Sequence, residues 1–120
     1  MPLIALLHAG LARALVLYLL ALGIWGLFAW RRNEGPSSSY RGALVIAWST
    51  VVVQGALGLV LLAAEGVREP LHVLYGFALA VALPAGYLFV RDREPKQRSL
   101  IVALVTLFAA GLAIRGITTS

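Results

Sequence analysis

Four apolar runs, each long enough to cross a lipid bilayer, take up most of this 120-residue chain. Between them lie short clusters that hold nearly all the charge. The first run spans Leu3 to Trp30 and stops at "RRNEGPSSSYR". The second spans Gly42 to Ala64 and stops at "EGVREP"; the third spans Pro70 to Val90; the fourth spans Ser99 to Ile114 and is followed by "RGITTS". Hydrophobic residues make up 61% of the chain and charged residues 12%. A soluble domain of this size cannot hide so much apolar surface. The sequence therefore predicts an all-α membrane protein. Residues 1–120 form a single domain of four transmembrane helices in an up-down-up-down antiparallel bundle, because the connections are short. Pro70 suits the first turn of helix three, and Pro84 is expected to kink that helix. Gly-Pro-Ser-Ser-Ser reads as a flexible loop.

The direction of insertion follows from the loops. Arg31, Arg32, Arg41, Arg91, Arg93, Lys96 and Arg98 lie after helices one and three. The loop after helix two holds only Arg68, between Glu65 and Glu69. The positive-inside rule puts the basic loops in the cytoplasm and both termini outside the cell membrane. The net charge of +5 thus reads as topology, and nucleic acid is not an expected partner. The start "MPLIALLHAG" lacks a basic segment, and its apolar run exceeds the core of a signal peptide, so no cleavable leader is expected. Trp25, Trp30, Tyr40 and Tyr87 cluster toward the cytoplasmic side, as an interfacial belt would, with Trp48 in it or slightly deeper. There are no cysteines. That excludes disulfides, iron–sulfur clusters, thiolate zinc sites and c-type haem attachment. No phosphate-binding glycine loop, Ser–His–Asp arrangement or His–Glu metal motif is visible.

The chain has two histidines. His8 lies one to two turns into helix one, and His72 lies in the first turn of helix three. At about 1.5 Å of rise per residue, both fall near the outer side at similar heights. Helices one and three are diagonal in the predicted bundle, so the two imidazoles can face each other across the core. Imidazole suits iron, and a neutral ligand nitrogen removes the cost of a buried charge. The pattern predicts His8 and His72 as the axial ligands of one haem b. Small residues would make room for it: Ala12 one turn after His8, Gly76 one turn after His72, Gly58 on helix two and Gly111 on helix four. Arg68 and Arg115 are placed to pair with the propionates. Gln54, inside helix two, needs a partner in lipid; a helix–helix hydrogen bond and a cofactor-facing role both answer that need. Arg13 either snorkels or faces a polar core. A structural or interfacial role for the histidines, and a quinone or proton site, are the competing readings.

"VVVQGALGLVLLAAEGVREPLHVLYGF" resembles a segment of the haem A synthases, in which a Gln-x-x-Leu-Gly helix leads through a short loop to a helix with an early histidine. Gln54, Leu57, Gly58, Pro70 and His72 hold those positions. "LHAGLARALVLYLLALGIWGLFAWRR" is similar to the preceding helix of that family, and "AAGLAIRGITTS" to the end of the helix that opens each half. Haem A synthases carry two pseudo-symmetric four-helix halves, each with a histidine pair for one haem, and this chain is the size of one half. Two departures stand out. The helix ending in Gly-Arg-Thr comes last instead of first. The glutamate that precedes the first histidine in the catalytic half is replaced here by Leu3, Ile4, Ala5, Leu6 and Leu7. The resemblance therefore implies the cofactor half.

The function expected from these readings is a small membrane b-type cytochrome that carries electrons to a redox partner or a larger membrane complex. Two alternatives stand beside it. One is a homodimeric, haem A synthase-like oxidoreductase. The other is an accessory subunit of a respiratory or photosynthetic complex, of which a quinone-binding variant would share most features.

Overall fold

The computed structural model describes residues 2–66 and 70–119. It contains α1 (Pro2–Arg31), α2 (Ser38–Glu65), α3 (Pro70–Val90) and α4 (Pro95–Thr119). All four are long and apolar enough to cross a membrane. In lipid the backbone has no water to bond, and a helix satisfies its own amides and carbonyls. The fold is an all-α, four-helix membrane bundle measuring 48 × 21 × 20 Å. Large apolar side chains such as Leu3, Leu17, Phe28, Phe77 and Phe108 lie exposed on its outside, where acyl chains would cover them.

Each helix packs on its neighbours in chain order, and α4 closes the ring against α1. Among the described residues α1 and α3 are diagonal, as are α2 and α4. The α1–α4 seam is the most extensive and the α2–α3 seam the sparsest. Small residues explain the tight seam. A Cβ added to Gly26 would sit 2.8 Å from Ala103 Cβ and 2.9 Å from the Tyr40 hydroxyl, and one added to Gly23 would overlap Leu107. Ala103 faces Gly26, and Ala103, Ala109, Ala110 and Ala113 of α4 are all buried. On the other side of α4, Val105 occupies the space a Gly86 side chain would need, at 2.7 Å. Backbones approach closely where side chains are small, and that contact is the main source of helix association in lipid.

Polar residues extend the helices beyond the apolar runs. The Ser37 hydroxyl caps α2 by accepting from the Tyr40 amide at 3.1 Å. Helix α2 therefore starts at Ser38, and part of the serine run expected as loop is helical. Pro95 opens α4 four residues before Ser99, at a position where its missing N–H costs nothing. Helix α3 has the predicted bounds and runs on through Pro84. Gly66 ends α2 with φ +81°, a conformation that suits glycine, and donates to the Leu62 carbonyl at 2.8 Å. Ser99, itself buried, donates to the Glu34 carbonyl at 2.6 Å and ties the α1–α2 loop to α4.

Tyr40 departs from the expectation of an interfacial belt. It is 2% exposed, and its hydroxyl donates to the Leu22 carbonyl at 2.8 Å. A buried phenol needs an acceptor, and the α1 backbone supplies one. Tyr18 makes the reciprocal link, donating to the Ala43 carbonyl of α2 at 2.8 Å.

The packing generates a paired prediction. Gly26→Ala forces a methyl between Ala103 and the Tyr40 hydroxyl, and is expected to destabilise the bundle by about 1–3 kcal/mol. Gly55→Ala meets open space and is expected to stay within about 0.5 kcal/mol of the parent. Unfolding in mixed micelles, followed by circular dichroism, measures both.

Candidate functional site

The two histidines meet at the end of the bundle away from the basic loops. Each is half-buried. Their ring centroids are 6.1 Å apart and the ring planes are inclined by 75°. Two diagonal helices thus place their histidines at one level and in contact.

Helix α2 holds His8 at two points. Gln54 donates from Nε2 to the backbone carbonyl of His8 at 2.7 Å. One turn on, Gly58 lies against the ring: a Cβ built there would be 3.2 Å from His8 Cε1. Residues four apart share a helix face, so one side of α2 grips the backbone of His8 and leaves space for its imidazole. Gln54 therefore forms a helix–helix hydrogen bond, and forms it with His8 itself. Two polar atoms here are buried and unpartnered, His8 Nδ1 and Gln54 Oε1. Such atoms carry a desolvation cost, and they concentrate the unmet polarity of this part of the bundle around His8.

Helix α4 holds His72. Its Nδ1 lies 2.8 Å from the Gly116 carbonyl oxygen. A carbonyl only accepts, so Nδ1 carries the proton and donates, and in the neutral ring Nε2 carries the lone pair. Gly116 lies in the last turn of α4, where helix carbonyls lack in-helix donors. A histidine fixed through one nitrogen by a backbone carbonyl has the arrangement common among metal ligands, which bind through the other nitrogen.

The remaining predicted residues are placed as follows. Ala12 is half-buried one turn after His8. Gly76 and Gly111 are exposed, and a Cβ on either would meet nothing within 4 Å, so neither is a close-packing point. Arg115 is exposed at the same end, with its guanidinium carbon 5.6 Å from the centre of the Tyr75 ring. This cation–π contact assigns Tyr75 a partner that the sequence pattern did not show. Arg68 lies outside the described residues. Arg13 is exposed and faces no polar core.

The donor set distinguishes between kinds of metal site. Among the described residues no three His, Cys, Asp or Glu come together. A group that brings its own equatorial ligands needs only two from the protein. The two imidazoles offer two such donors, with ring centroids 6.1 Å apart. Compared with known proteins, the chain matches no family model, no curated protein and no solved structure.

The geometry predicts opposite outcomes for two glycines on α2. Gly58→Leu is expected to push the His8 ring away and abolish the NMR contact between the two imidazoles in lipid. Gly55→Leu, which meets open space, is expected to retain it. Gln54→Leu removes one interhelix hydrogen bond and is expected to lower stability by roughly 0.6 kcal/mol, and by no more than about 1.7.

Proposed function

We propose that this protein is a small integral-membrane b-type cytochrome, with haem b held between His8 and His72 and electron transfer as its activity. The observation that supports the reading is the meeting of two half-buried imidazoles from diagonal helices, 6.1 Å apart. When bound, the haem would supply one-electron redox chemistry, and His8 and His72 would hold it. The chain's own part is to hold those ligands. Gln54 fixes the backbone of His8, Gly58 leaves its ring space, and the Gly116 carbonyl sets the tautomer of His72. No proton needs to move for this chemistry, which agrees with the absence of Asp and Glu from the interiors of the apolar runs. Arg115, at the same end, is the described cation nearest in sequence to Gly116 and would face the propionates. The resemblance to the cofactor half of the haem A synthases is part of this proposal.

The proposed orientation has both termini outside and the two basic loops in the cytoplasm. Arginine and lysine crowd one end of the bundle, and such loops stay on the cytoplasmic side. The histidine pair then lies toward the outer leaflet, within reach of a redox partner on that face.

Two measurements test these readings. Protein made with adequate haem should give a low-spin b-type signal in a reduced-minus-oxidised spectrum, with about one haem per chain. His8→Ala and His72→Ala should each abolish it while the helical content stays. Folded wild-type protein without haem would leave the imidazole pair as a packing contact and sink the cytochrome reading. For orientation, the cysteine-free chain allows single-cysteine labelling of intact cells. A membrane-impermeant maleimide should label Thr118→Cys and leave Asp92→Cys unlabelled.

A further inference from the structure

A cleft of about 270 Å³ opens between α2 and α3, toward the basic end of the bundle and away from the histidines. Trp48 of α2 and Tyr87 of α3 line it, both 43% exposed, with Leu83 and Pro84 of α3 and Thr106 of α4. It lies along the sparsest seam of the bundle. Its walls are apolar, and its one ionic group is Arg41, in the first turn of α2. The Thr106 hydroxyl donates to the Ala103 carbonyl at 2.9 Å, which leaves Arg41 as the charged group of the cleft.

The surroundings carry a positive excess. Seven cations at this end (Arg31, Arg32, Arg41, Arg91, Arg93, Lys96 and Arg98) stand against three carboxylates, Glu34, Asp92 and Glu94. Two of the cations rest on aromatic rings: Arg93 lies 4.8 Å from the Phe89 ring centre and Lys96 5.7 Å from that of Trp30. Arg41 is the one that lines the cleft. An apolar slot with a guanidinium and two interfacial aromatics suits a molecule with a hydrocarbon tail and an anionic head. Guanidinium matches phosphate oxygens in a bidentate fork, and basic pockets between membrane helices select anionic headgroups.

We propose that the α2–α3 cleft binds an anionic glycerophospholipid, with an acyl chain between the helices and the phosphate on Arg41. The site is separate from the histidine pair and does not rest on the cytochrome reading.

Trp48 reports on the cleft directly. In a Trp25→Phe/Trp30→Phe variant it is the sole tryptophan, since the chain has three. That variant is reconstituted in phosphatidylcholine vesicles containing dibrominated phosphatidylglycerol or, at equal fraction, dibrominated phosphatidylcholine. Bromine quenches indole fluorescence only at close range. The anionic lipid is expected to bind about fivefold more tightly than the zwitterionic one, the preference one arginine provides near a membrane surface. Arg41→Gln should erase the preference, and Arg93→Gln, outside the cleft, should keep it. Val45→Phe, which narrows the cleft margin and keeps the charge, should weaken quenching by both lipids. Equal quenching by the two lipids in the parent would overturn the proposal and leave ordinary annular lipid. So would protection of Trp48 from both, which would mean a second copy of the chain covers the cleft. Saturable quenching by a quinone that survives Arg41→Gln, with no anionic preference, would assign the cleft to a neutral redox ligand instead.

Discussion

The seam between α1 and α4 carries the rest of the structure. In lipid, one apolar surface gains little by leaving hydrocarbon for another, so helices associate where their surfaces come closest. Gly23 and Gly26 on α1, with Ala103 on α4, allow that approach. Tyr40 adds a buried hydrogen bond at the same level and pins α2 to α1. Once α1 and α4 are locked, the heights of all four helices follow, because the short loops and Ser99 leave little freedom to slide.

Helix α4 contributes no histidine, yet it positions the pair. It packs on α1 along one side and on α3 along another. The first contact sets the height of His8 and the second that of His72, whose Nδ1–H also ends on the Gly116 carbonyl. Helix α2 then refines His8 through Gln54 and Gly58. The weaker α2–α3 seam is where the bundle opens to its surroundings. Helix α3 is held mainly by α4, and the cleft lies along its sparser seam with α2.

Particular residues show where sequence reasoning reached and where it stopped. The spans of the helices were legible, and α3 matches residue for residue, because hydropathy alone marks what can cross a bilayer. The starts of α2 and α4 were not, because Ser37 and Pro95 act as helix-end residues outside the apolar period. Tyr40 read as interfacial because aromatics near helix ends usually are, yet its acceptor is a backbone carbonyl on another helix. The partner of His72 is a carbonyl too. Backbone acceptors carry no residue identity, so no pattern in the sequence marks them. Of the glycines expected around the histidines, Gly58 touches an imidazole, and Gly76 and Gly111 face open space.

The sequence by itself determined four membrane-crossing helices, the charge difference between their two ends, and two histidines at one level on the first and third. Each of these depends on the order of residues along the chain. Which faces turn inward was decided only by the tertiary structure. The helices are apolar nearly all round and present no strong stripe to point at a core. In a membrane the inward face is therefore chosen by close approach at small residues and by a few hydrogen bonds between helices, and those contacts exist only once the helices are packed.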